Sequence, residues 1–194
     1  MSTLPVMPNL IIIGGSSRNV GKTTLTLKLI EKYAAEEKIT GLKVTNVRPG
    51  EEAFHGDHDN LKIHEFRILE ETLLGTGKDT SRMLQAGAAN AFFIETTDHL
   101  ISEAFREFLY TGYNGGLIIC ESRSLRNVVV PGLFVLLKHY NEKLIKPGFN
   151  QYEEIADIVF SIDRNLKNSG ALAERISWDG ISWNYRENSK NQAG

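Results

Sequence analysis

Lys22 and Thr23 follow Gly21, and Gly15 stands six residues before Gly21. Ser16, Ser17, Arg18, Asn19 and Val20 lie between the two glycines. The apolar run Leu10-Ile11-Ile12-Ile13 leads into this stretch, and Thr24-Leu25 opens a segment of helical spacing. A glycine loop between a strand and a helix is a phosphate cradle. Its backbone N–H groups and the helix N-terminus face an anion, and the helix dipole adds to their field. Lys22 has the reach for β- and γ-phosphates. Thr23 offers a hydroxyl to Mg²⁺, and Thr24 can support an α-phosphate. The residues from Gly15 to Thr24 are therefore the candidate nucleotide-binding set. The usual spacing, G-x-x-x-x-G-K-[ST], would place its first glycine where this chain has Ser16. The loop is either serine-initiated or one residue longer.

Phosphoryl chemistry also needs an acidic group near the metal, and in P-loop proteins it ends an apolar strand beside the first one. Glu121 ends the run 117–120 and is the first choice, with Thr23, as metal ligand. Asp163, after the run 158–162, is the second. Asp79 follows Gly75-Thr76-Gly77-Lys78. A glycine pair can swing a loop over a site, and a carboxylate there can orient a water or a substrate hydroxyl. The same aspartate also suits a plain helix start. Lys22, Asp79 and Glu121 are the candidate catalytic groups. His55, Asp57, His58, Asp59 and His64 are metal-binding residue types, but no cysteine partners them, and they read as a solvated loop. Arg18 and Arg123 are either phosphate contacts or surface arginines. Trp178 and Trp183 read as hairpin packing rather than a base-stacking platform.

These groups need elements to position them. From 23 to 37 apolar residues recur near helical spacing, with Lys28, Glu31, Lys32 and Glu36 on the other face. A strand follows over 39–47, so strand, helix and strand imply a right-handed crossover and a parallel pair. The polar stretch 48–60 reads as a long loop, of a length that is usually functional or mobile inside a domain. The stretch 61–74 predicts a helix, and Asp79 opens another running to about Ala86. A short strand covers 91–94, and Asp98 is placed to cap a helix that buries Leu100, Ile101, Ala104, Phe105, Phe108 and Leu109. The runs 117–120, 133–137 and 158–162 are apolar on both faces, as in a parallel sheet covered on both sides. The alternating segment 176–183 turns about Asp179-Gly180, a hairpin signal. The fold expected is α/β: a mostly parallel sheet of about six or seven strands, helices on both faces, and a C-terminal hairpin.

The chain has 194 residues and a net charge of −2, which suits one domain, here 1–186, and implies no broad nucleic-acid surface. The tail 187–194 reads as disordered. Cys120 is the lone cysteine, so no internal disulfide forms. No apolar run is long enough for a membrane, the start lacks a secretory pattern, and the expected location is cytoplasmic.

Several of these features together resemble the MobB family of molybdopterin-guanine dinucleotide biosynthesis proteins, of the P-loop NTPase class. They are Gly21-Lys22-Thr23-Thr24-Leu25, the strand Gly41-Leu42-Lys43-Val44, Gly77-Lys78-Asp79-Thr80-Ser81-Arg82 followed by Ala86-Gly87-Ala88, and the strand ending at Glu121. The resemblance covers residues 9–125. The family commonly has Glu-Gly at the acidic strand, whereas Ser122 follows Glu121 here. The longer spacing from Gly15 to Gly21 is instead similar to dethiobiotin synthetase. The resemblance implies GTP or ATP with Mg²⁺ as cofactors. No Asn-Lys-x-Asp motif is visible, so the base stays open.

Three functions share such a loop. One is a slow, MobB-like NTPase, expected to use GTP and to assist guanylylation of the molybdenum cofactor. Another is an ATP-dependent small-molecule kinase or ligase that passes the phosphoryl group to a carboxylate or carbamate held by the 48–60 loop. The third is a nucleotide switch that binds another protein. Expected partners are thus a nucleotide, a molybdopterin-related or other small molecule, and in the switch reading a protein. A homodimer is compatible with all three, and neither nucleic acid nor membrane is expected.

Overall fold

Apolar runs that alternate with amphipathic stretches can bury themselves only as strands between two helical layers. The computed structural model, which describes residues 3–47, 65–162 and 168–187, has that form. The chain runs β1 (Val6–Gly15), α1 (Lys22–Tyr33), β2 (Ile39–Asn46), β3 (Arg67–Glu70), α2 (Asp79–Gln85), β4 (Asn90–Thr96), α3 (Ile101–Thr111) and β5 (Leu117–Glu121). It continues through β6 (Val130–His139), α4 (Asn150–Glu153), β7 (Ile158–Ile162), α5 (Ser169–Leu172), β8 (Ile176–Trp178) and β9 (Trp183–Tyr185). Seven strands form one sheet in the order β3-β4-β2-β5-β1-β6-β7. All neighbours are parallel except β3, which pairs antiparallel with β4 at one edge.

Because side chains alternate along a strand, the central strands feed two cores. Ile11, Ile13, Leu117, Ile119, Val135 and Leu137 pack beneath α1 and α2, against Leu25, Leu29, Ile30 and Met83. Leu10, Ile12, Ile118, Cys120, Phe134 and Leu136 pack on the other face with Ile101, Ala104, Phe105 and Phe108 of α3. Phe108 is fully buried, with its ring 5.3 Å from Phe92. Burial of such a side chain stabilises by roughly 1.5–3 kcal/mol. The hairpin β8–β9 closes the first core. Trp183 meets Tyr33 edge-on at 5.6 Å, and the Trp178 backbone N–H donates to the Tyr33 hydroxyl (2.9 Å). No helix among the described residues is long and apolar enough to cross a membrane.

Four expectations are corrected. Residues 67–70 of the expected 61–74 helix form β3, and none of the described residues 65–74 is helical. Pairing with β4 overrides the local spacing. Asp98 does not cap α3, whose N-cap is Leu100 without a side-chain bond; the Asp98 carboxylate accepts from the Asn46 amide instead. The run 158–162 is covered on one face only: Ile158 and Ile162 are buried while Val159 and Ser161 are exposed, because β7 is an edge strand. The hairpin turns over 179–182, longer than the Asp179-Gly180 pair, and Trp178 lies opposite Trp183. The tail 188–194, Asp163, and the 48–60 loop with its histidines and His64 lie outside the described residues.

Candidate functional site

β1 carries the loop to the top of the sheet, and the residues there explain its spacing. Ser16 still behaves as strand: its N–H donates to Leu137 O (2.9 Å) and its carbonyl accepts from Lys146 N (2.8 Å). Its buried hydroxyl accepts from His139 N (2.8 Å). The loop folds back over Gly15, where a Cβ would lie 2.6 Å from Val20 Cγ1 and 2.9 Å from Lys22 Cδ. A side chain at position 15 would displace the loop, so the glycine is required there and a serine is accommodated at 16. Val20 is buried and anchors the loop, while Arg18 and Asn19 stand exposed. Asn19 (φ 56°) and Gly21 (φ 91°) both adopt the left-handed conformation, the kind of backbone that builds anion-binding concavities. α1 begins at Lys22 directly after them.

Lys22 lies folded over the loop, and its ammonium donates to Ser17 O (3.1 Å). Burial pushes its pKa below the ordinary value, Glu121 partly opposes the shift, and the charges of Lys43 and Lys146 add to it. A buried ammonium crowded by two others is stabilised by a polyanion.

Glu121 ends β5, the strand between β1 and β2, and is in register with Ile13 on one side and Lys43 on the other. All three therefore face α1 and α2. Thr23, in the first turn of α1, donates to Glu121 Oε2 (2.9 Å) and to Asp79 Oδ1 (3.4 Å). Asp79 opens α2 and pairs with the Lys43 ammonium; Arg82 NH1 is 3.8 Å from its other oxygen. Gly41 sets this approach. It lies two residues before Lys43 on the same face, and a Cβ there would come within 2.9 Å of the Met83 sulfur. Without that Cβ, Met83 lies directly on β2, and Asp79, one turn earlier, meets Lys43.

The structure thus brings Lys22, Thr23, Asp79 and Glu121 around one point, with Gly15, Ser17, Arg18, Asn19, Gly21 and Thr24 along the same cleft. Ser16 and Val20 lie beneath it as supports. The convergent donors are a hydroxyl and two carboxylates, an oxygen set that suits Mg²⁺. Among the described residues no group of three or more His, Cys, Asp or Glu side chains makes a metal site by itself, so an ion here would share its coordination with phosphate oxygens. Arg123 also reaches the cleft, its guanidinium 5.0 Å over the Tyr152 ring. Trp178 and Trp183 are remote, on the Tyr33 end of α1.

The cleft encloses about 1500 Å³ and runs on past Asp79, over a floor of Thr45, Phe93, Glu95 and Arg67. Register places Glu95 between Thr45 and Arg67, and it is 2% exposed. Sequence reasoning passed over Glu95, although it follows the apolar run 91–94 as Glu121 follows the run 117–120. The same rule applied to both strands would have found it. Lys146 was also missed; it follows no motif and reaches the site through its hydrogen bond to Ser16.

No protein-family model matches the chain, and no curated protein matches it. Among solved structures it superposes on LpxK from Aquifex aeolicus in complex with ATP, with a TM-score of 0.51 at 9% identity. The match covers 86% of this chain and 52% of that one, so this chain spans about half the length of LpxK. The likeness is one of fold: a P-loop α/β architecture.

Proposed function

We propose that this chain binds a nucleoside triphosphate with Mg²⁺ and acts on its terminal phosphoryl group. The observation that carries this reading is the convergence of Thr23 on Glu121 and Asp79, beside a lysine seated on a glycine loop. In this reading the loop backbone and Lys22 hold the β- and γ-phosphates. Thr23 and Glu121 would hold Mg²⁺, which when bound draws charge from the phosphate oxygens. Asp79, steadied by Lys43, accepts a proton from the attacking hydroxyl or water. Alignment and charge neutralisation supply most of the acceleration in such reactions.

The floor beyond Asp79 favours a small-molecule acceptor over bare hydrolysis. Glu95 and Arg67 offer it polar anchors, and Phe93 offers an apolar surface. ATP is the first nucleotide to test, since LpxK was crystallised with it. The GTP-dependent, molybdenum-cofactor reading rests on the Gly77-to-Ala88 motif. Calorimetric titration of the full chain with ATP and GTP, with and without Mg²⁺, tests the proposal. Micromolar binding of either, strengthened by Mg²⁺, is expected. Absence of binding to both at millimolar concentration overturns it. Tighter binding of GTP than ATP favours the MobB-like reading over the kinase one.

A further inference from the structure

We propose that Lys146 is a second lysine of the phosphate site and contacts the terminal phosphate of the bound nucleoside triphosphate. The inference rests on the nucleotide reading above and adds a residue that no P-loop pattern contains.

The placement comes from β6. That strand runs beside β1, and the chain leaves it at His139 through a tight, hydrogen-bonded turn. Asn141 N–H donates to His139 Nδ1 (3.0 Å), and the Asn141 side chain accepts from Lys143 N (3.1 Å). Leu144 N and Ile145 N donate to Asn141 O and Glu142 O. The turn therefore brings Lys146 back to the loop by a defined path, and its N–H closes on Ser16 O at 2.8 Å. Ser16 is itself fixed by Leu137 O and His139 N. The Lys146 backbone is thus tied to the P-loop at its buried serine.

The side chain lines the same cleft as Lys22. Lys22 ends on Ser17 O, the residue next to the one that holds Lys146. A P-loop lysine reaches the β- and γ-phosphates, so the two lysines meet at the terminal-phosphate end of the loop. Like charges gathered in a cleft raise the local concentration of an anion. Two ammonium groups that line one cleft repel each other. A third phosphate brought between them relieves that repulsion, which a diphosphate does less well.

The test compares triphosphate with diphosphate. Affinities for ATP and ADP, and for GTP and GDP, are measured on the full chain with Lys146→Ala, Lys146→Met, Lys146→Glu and Lys146→Arg. The two neutral variants guard against a folding defect in either. Loss of one charge-assisted contact is expected to weaken triphosphate binding about tenfold and diphosphate binding by less than about twofold. Lys146→Glu should weaken it further, and Lys146→Arg should restore it. Equal losses for both nucleotides, or no loss, overturn the proposal. A wild-type chain that binds no nucleotide overturns the reading beneath it, and this inference with it.

Discussion

On one side of Glu121 the cleft wall is a loop of backbone, Gly15 to Gly21, with Lys22 laid across it. On the other side it is side chains: Lys43 and Thr45 of β2, Phe93 and Glu95 of β4, Arg67 of β3 and Asp79 of α2. The first half is written in consecutive residues, whose backbone curls back on itself, with β6 pinning its buried Ser16. The second is assembled from three strands and a helix and exists only once the sheet has paired. In the proposed function, phosphate, common to all nucleotides, would be met by the half that depends on local pattern. Whatever distinguishes this chain from others of its fold is met by the half that depends on tertiary placement.

Glu121 stands where the two halves join, and its loss should have the largest effect. Glu121→Gln keeps the volume and removes the charge. Turnover is expected to fall about 100-fold, the cost of removing one electrostatic stabiliser, with nucleotide binding retained. Asp79→Asn should also slow turnover while leaving Mg²⁺ dependence nearly intact. A titration of rate against Mg²⁺ separates the two, and full wild-type turnover in both variants would make the site a binding pocket and favour the protein-switch reading.

The next effect lies on the backbone side. Ser16→Ala removes the acceptor of the His139 N–H, a buried pair. An unsatisfied buried donor costs about 2 kcal/mol, read as a lower urea midpoint with an unchanged slope. Unaltered stability would mean that the loop half does not depend on its tie to β6.

Lys22→Ala should cut nucleotide affinity at least tenfold, about 1.4 kcal/mol, by calorimetry on a folded variant. Undiminished binding would remove the phosphate site from this half altogether.

The smallest effect is a pH dependence. The Lys22 pKa is lowered in the fold, first by burial. Between that lowered value and the ordinary 10.5, the unfolded chain binds more protons than the folded one. Stability of the nucleotide-free protein should therefore gain with rising pH across that window. The gain should vanish in Lys22→Met, and the difference between the two denaturation curves measures it. A bound polyphosphate raises the pKa again, so nucleotide affinity should weaken over the same window.

The strand-to-helix frame and the glycine loop were legible because their signals are local: an apolar run, a break, a helical period. Glu121 was legible because an acid closing a fully apolar strand has few structural uses. β3 was not legible. Ile68 and Leu69 fit a helical stripe as well as a strand, and only the antiparallel partner Phe92 to Glu95 decides between them. Asp98 has the residue type of a cap, yet Asn46 at the end of β2 takes its carboxylate. Lys43 and Asp79 are far apart in sequence, and nothing local says that Gly41 lets Met83 bring them together. The placement of Ser16 needed β6, which supplies two of its partners, Leu137 and His139, and the turn beyond it, which supplies Lys146.

Both tryptophans of the chain sit in the C-terminal hairpin, with rings 5.4 Å apart, against the far end of α1. Trp178 also donates its indole N–H to Glu37, just past that helix. The helix whose first residue is Lys22 therefore ends on the protein's entire indole chromophore. Emission excited in the indole band is an unlabelled reporter of that one junction. Its colour will shift when the hairpin parts from Tyr33, and the shift needs no enzymatic turnover to be seen. Stopped-flow mixing with a nucleotide can thus follow, in real time, whether an event at one end of α1 is felt at the other.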